Sequence, residues 1–174
     1  MASLKRDKQI LDLIVKTYNF QFELRERLDS KLNNFVAITG TLSSISLAVA
    51  LFIFERVTIG NPFYLPLVIA FFVFFGCFIA AMIVGLTGYK PTKFTLYPED
   101  TERIIEDYSK LSNELAVIRV VAASFAEAAN SNKELNNRKS KICNFVFCLL
   151  VVGAVVFIMF AVFMILGLSV PIDP

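Results

Sequence analysis

The sequence predicts an all-α membrane protein with three transmembrane helices and long helical extensions outside the bilayer. Three observations lead there. Residues 32–54, 57–89 and 142–172 are free of charged side chains, and each stretch exceeds the roughly 20 apolar residues a helix needs to cross a bilayer. The chain is 56% hydrophobic with a mean hydropathy of +0.65, which belongs to the membrane class rather than to soluble domains. Its basic residues are also segregated. Lys5, Arg6, Lys8, Lys16, Arg25, Arg27 and Lys31 precede the first stretch, and Lys90, Lys93, Arg103, Lys110, Arg119, Lys133, Arg138, Lys139 and Lys141 separate the second from the third. Only Arg56 lies between the first two, and no basic residue follows the third. Because cytoplasmic segments carry the excess of Lys and Arg, the N-terminus is expected inside and the C-terminus outside, in a multi-pass protein of the cell's inner membrane. At 174 residues the length suits one membrane domain.

Residues 1–34 are expected to form a cytosolic helix. Leu4, Leu11, Tyr18 and Leu32 keep a seven-residue spacing, and Ile14, Leu28 and Phe35 fill the neighbouring row, with Gln21 and Arg25 interrupting it. No Gly or Pro occurs before Gly40, so the helix can run directly into the first crossing, 35–55. The charges before the first stretch leave no room for the apolar core of a signal peptide. Gly60-Asn61-Pro62 marks a short outer turn. The second crossing, 63–88, tolerates Pro66 in its first turn and ends at Gly88 and Pro91.

Residues 98–141 are expected to form a second cytosolic helical segment. Pro98-Glu99-Asp100 places proline and acids where a helix start favours them. Ile104, Tyr108, Leu111, Leu115, Ile118, Ala122, Phe125 and Ala129 follow with alternating four- and three-residue spacing, the pattern of a coiled coil. The seam can pack against the N-terminal helix of the same chain or against another subunit. A straight helix over 99–141 would be about 65 Å long, whereas the 90–97 linker spans at most about 28 Å. A bend is therefore expected at Asn130-Ser131-Asn132 or Ser112-Asn113, the weakest helical points. The third crossing covers 142–168. Its entry, Ser140-Lys141-Ile142-Cys143-Asn144-Phe145-Val146, echoes Ser30-Lys31-Leu32-Asn33-Asn34-Phe35-Val36 at the first. The echo can be shared interface chemistry, with lysines reaching the headgroups, or two paired helix entries with Asn34 and Asn144 hydrogen-bonded across helices.

Chemistry is sparse. The chain contains no His, and no catalytic or nucleotide-binding motif occurs, so no enzyme activity, metal or cofactor is expected. Cys77, Cys143 and Cys148 fall in apolar stretches and suit packing. The 18 Phe suit lipid-facing surfaces. No crossing carries a central charge, which argues against proton relays and ion-coupled transport. The basic blocks are mixed with acids, so no nucleic-acid partner is expected. Arg138, Lys139 and Lys141 could contact lipid headgroups. Two rows of the first crossing stand out. Gly40, Ser44 and Ala48 form a small-residue face that allows close helix approach. Thr39, Ser43 and Ser46 can serve tight packing or line a pore in an oligomer. Gly76/Ala80 and Ala81/Gly85 give further small pairs in the second crossing.

Leu28-Asp29-Ser30-Lys31-Leu32-Asn33-Asn34 before a short-looped membrane hairpin, and Glu134-Leu135-Asn136-Asn137-Arg138-Lys139-Ser140-Lys141 beyond it, give an arrangement similar to SLATT-type membrane effectors of prokaryotic defence systems, with a third crossing added to that form. The resemblance implies a protein that oligomerises and perforates the inner membrane when a partner signals, and it supplies no catalytic residues. Two functions follow as expectations: a small homo-oligomeric, pore-forming membrane protein controlled by a cytosolic protein partner through its helices, or a non-conducting accessory subunit of a larger membrane complex.

Overall fold

The computed structural model describes residues 2–57, 59–89 and 114–169. Among these the chain forms three helices: α1, Ala2–Phe54; α2, Tyr64–Gly88; and α3, Glu114–Ser169. All three are long and apolar enough to cross a membrane. Where one membrane domain is expected, the contacts divide into two units. The first comprises Met1–Asp29 with Pro91–Ser140, and the second Ser30–Lys90 with Lys141–Pro174.

α1 continues without a break from its charged half into its apolar half, as the absence of Gly and Pro predicts. The bend expected at Asn130-Ser131-Asn132 is not present as a break, because α3 is helical throughout that stretch. Weak helix propensity is overridden there by packing: Asn132 is fully buried, and tertiary contacts routinely outweigh differences of a few tenths of a kcal/mol per residue. The alternative break at Ser112-Asn113, the linker 90–97 and the helix start at 98–102 lie outside the described residues.

In the first unit α1 and α3 run parallel, since partners rise together along both helices: Asp7 with Arg119, Tyr18 with Phe125, and Asp29 with Lys139. Tyr18, Ala128 and Ala129 form a small buried cluster with Phe125 packed against it. The Tyr18 and Phe125 rings meet edge to face at 5.4 Å.

The second unit is a bundle of the apolar halves of α1 and α3 with α2. Its core holds Ala50, Ile53, Val57, Leu67, Ala70, Phe71, Phe74, Phe78 and Phe160. Phe74 is central, 5.1 Å from the Phe160 ring and 5.2 Å from that of Phe157. The phenylalanines thus divide: these are turned inward, while Phe52, Phe72, Phe145 and Phe147 are exposed. Lipid is as apolar as a side chain, so such a bundle is held by close packing rather than by expulsion of water. Glycines permit that packing. A Cβ at Gly153 would lie 2.6 Å from Phe78 Cε1, and one at Gly88 would lie 3.0 Å from Ile142 Cγ2 and 3.1 Å from Leu32 Cδ1. Leu32 and Ile142 are matching positions of the sequence echo, and both converge on Gly88.

The turn between α1 and α2 is fastened by Asn61. Its Oδ1 accepts from the Phe63 amide at 2.9 Å, and its Nδ2 donates to the Gly167 carbonyl at 2.8 Å. One side chain therefore shapes the turn, as asparagine does in tight turns, and occupies a carbonyl near the end of α3 that has no partner within its own helix.

Candidate functional site

No side chain with reactive chemistry organises this protein, so the candidate site is a set of helix faces. The hydroxyl row comes first. Thr39, Ser43 and Ser46 are all buried inside the second unit, and none is on an outer surface where a second subunit could share it. Thr39 Oγ1 lies 2.9 Å from the carbonyls of both Phe35 and Val36, to which it donates, so its polarity is absorbed by its own helix. Ser43 Oγ, in contrast, finds no hydrogen-bond partner among the described residues. The packing alternative of the sequence reading describes this row; the lining of an intersubunit pore does not.

The small-residue face turns the other way. Ser44 and Ala48 are exposed and Gly40 is half-buried, and a Cβ at Gly40 would meet nothing within 4 Å. Gly76 is likewise open. Of the two small pairs in α2, Ala81/Gly85 is spent inside the unit: both residues are buried, and a Cβ at Gly85 would lie 2.9 Å from Val36 Cγ2. The exposed hydroxyls of these spans are internally satisfied. Thr41 donates to the Ala37 carbonyl at 3.0 Å, Ser44 to that of Gly40 at 3.0 Å, and Thr87 to that of Val84 at 2.7 Å.

Asn34 and Asn144 are both exposed, and no hydrogen bond joins them, contrary to the bond expected from the echo. The entries of the two helices are close, with the Phe35 and Phe147 rings 6.4 Å apart, but the seam runs through Leu32, Cys143 and Val146, which are buried. The asparagines lie beside that seam.

The amide contact is made elsewhere. Asn136 Nδ2 donates to the Gln21 backbone carbonyl at 2.8 Å and to Gln21 Oε1 at 3.0 Å, and both residues are buried. Gln21 is one of the two residues that interrupt the apolar row of α1 in sequence. The other, Arg25, sits 3.6 Å from the Asp29 carboxylate, which also accepts from Lys139 Nζ. Lys139 is buried, so it is not a headgroup contact; Arg138 is exposed and pairs with Glu134 at 2.7 Å, and Lys141 is exposed. At the other end, Arg119 Nε donates to the buried Asp7 carboxylate at 2.9 Å, and Lys8 meets Glu114 at 2.8 Å.

Of the seam expected in residues 104–129, Ile118, Ala122 and Ala129 are buried and Leu115 and Phe125 half-buried, so this part of the row faces inward within the chain. Ile104, Tyr108 and Leu111 lie outside the described residues. The three polar cross-links escaped the sequence reading because each joins residues more than 100 positions apart. The gap at Gln21 and Arg25 was the visible signal: an apolar row broken by polar residues needs polar partners on the facing helix.

No protein-family model, curated protein or solved structure matches this chain. The functional reading therefore rests on the residues themselves.

Proposed function

We propose that this protein is a non-conducting structural or accessory component of a membrane assembly. It acts through helix packing, with its charged helical segments on the cytoplasmic side of the inner membrane and its C-terminus outside. The burial of Thr39, Ser43 and Ser46 within a single chain carries this reading, because it removes the one polar row that could have lined a pore. The exposed side of the spans offers no substitute. Its large residues are apolar, and its hydroxyls donate to carbonyls of their own helix, the arrangement suited to a lipid-facing surface without water. The uneven distribution of Lys and Arg supports the orientation. The buried polar cross-links support a defined pairing of α1 and α3 that a cytosolic protein partner could read.

The pore-forming reading, which the resemblance to SLATT-type effectors implies, is weakened by the same burial. Ion flux into liposomes containing the purified protein separates the two. The accessory reading expects flux at the level of empty liposomes. Flux above that level, reduced by Ser44→Leu on the exposed face, would replace it with the pore reading. Orientation is checked independently with a membrane-impermeant thiol reagent on intact cells: a cysteine at Gly60 should be labelled and one at Gln9 should not.

A further inference from the structure

α1 carries a second apolar row that the chain itself does not cover. Ile10, Leu13 and Phe20 are 46%, 65% and 56% exposed, and with Thr17 and the half-buried Leu24 they recur at alternating intervals of three and four residues. This is the spacing of a helix–helix seam. The polar member does not interrupt it, because Thr17 Oγ1 donates to the Leu13 carbonyl at 2.9 Å, which leaves the methyl group to face outward. The row lies in the charged half of the helix, among Asp12, Lys16, Glu23 and Arg27, where three isolated large hydrophobics in register are harder to explain than scattered ones. The inward row of the same helix, with Asp7, Tyr18, Gln21 and Leu28 buried, is already taken up by α3.

We propose that this row is the contact between two copies of the chain, paired parallel and in register through α1. The proposal rests on the reading that α1 continues into the bilayer. Two copies in one membrane then present identical faces in the same direction, and a parallel pair aligns Ile10 with Ile10, Leu13 with Leu13 and Phe20 with Phe20 of the second copy. The flanking positions permit it. In a parallel pair, Gln9, Lys16 and Glu23 on one helix face Ile14, Gln21 and Leu28 on the other, so no like charges oppose one another along the row. The row ends at Arg27, which pairs with Glu23 of its own helix at 3.7 Å. An antiparallel pair would place the two membrane-spanning halves on opposite sides and is excluded by a shared bilayer.

The test uses the full chain in native membranes, with Cys77, Cys143 and Cys148 replaced by Ala and one cysteine introduced at a time under mild oxidation. A disulfide forms only where the two Cβ atoms approach to about 3.5–4.5 Å. Ile10→Cys, Leu13→Cys and Phe20→Cys should each give a covalent dimer several-fold more abundant than Asn19→Cys or Glu26→Cys, which lie on the far side of α1. Equal cross-linking at all five positions, no dimer at any, or adducts only of a mass other than twice the chain would overturn the proposal. Membrane extraction at high pH is run on the same samples. Loss of the chain to the soluble fraction would overturn the membrane reading and the pairing with it, whereas a retained chain without the pattern overturns the pairing alone.

Discussion

The two units of this protein use the same long helices with opposite chemistry. In the charged unit, α1 and α3 are joined by buried or half-buried polar contacts at Asp7–Arg119, Gln21–Asn136 and Asp29–Lys139, separated by small residues such as Ala122, Ala128 and Ala129. In the apolar unit the same helices meet through phenylalanines and glycines. The difference follows from the surroundings each unit is built for. In water, apolar burial drives association, but its lack of direction leaves register weakly defined; polar partners that must find one another define it, as buried polar positions do in helical seams. In lipid, apolar contact gives no net expulsion of solvent, and register follows from the shapes of rings and glycines.

This contrast predicts a hierarchy of effects. Phe74→Ala removes the ring at the centre of the apolar core and should destabilise by about 3 kcal/mol or more, mostly as lost packing. Unfolding in detergent monitored by circular dichroism measures it, and a change below 1 kcal/mol would mean that the aromatic cluster does not hold that unit together. Next in size is the charged unit's innermost pair. Lys139 has a side chain only 9% exposed, while that of Asp29 is 32% exposed. Asp29→Ala leaves a buried ammonium without its partner and should cost about 1–3 kcal/mol, less than the full penalty of a fully buried pair because water reaches the carboxylate. Asp29→Ala with Lys139→Met should recover most of that loss. A double variant as unstable as Asp29→Ala alone would show that the ion pair is not the reason for the cost.

The amide pair sharpens the same point. Asn136 Oδ1 is buried with no hydrogen-bond partner among the described residues, so the pair already carries an unmet polar atom. Gln21→Ala should cost about 1–2 kcal/mol, whereas replacing both Gln21 and Asn136 by Leu should be neutral or stabilising. The gain would come with looser register, visible as broadened resonances from α1. The smallest effect belongs to the apolar unit. Ser43→Ala removes a buried hydroxyl that makes no hydrogen bond and should change stability by no more than about 0.5 kcal/mol in either direction. A larger loss would reveal a partner for that hydroxyl, and with it a hydrated path inside the bundle.

Much of this architecture was legible in the chain. The continuity of α1 followed from the missing Gly and Pro, α2 begins one residue after its expected start, and α3 ends one residue beyond its expected limit. The inward direction of Ile118, Ala122 and Ala129 followed from spacing alone. What local pattern could not give was the partner of each face. Thr39 and Ser44 are equally small and polar in sequence, and only the position of α2 and α3 makes one a core residue and the other a surface residue. Lys139 sits among basic residues beside a span and looks like a headgroup contact, yet Asp29, far away in sequence, draws it inward. Asn132 is a poor helix former by propensity and is fully buried. Its environment, not its type, decides that the helix continues.

The parallel alignment of α1 and α3 in the charged unit underlies the whole account, and an engineered intramolecular disulfide tests it directly. In the full chain with its native cysteines replaced, Gln21→Cys with Asn136→Cys should form an internal disulfide on mild oxidation, detected by protection of both thiols from maleimide labelling. Protection of the pair Asp7→Cys with Asn136→Cys instead, with Gln21 and Asn136 positions remaining reactive, would mean an antiparallel arrangement and would contradict it.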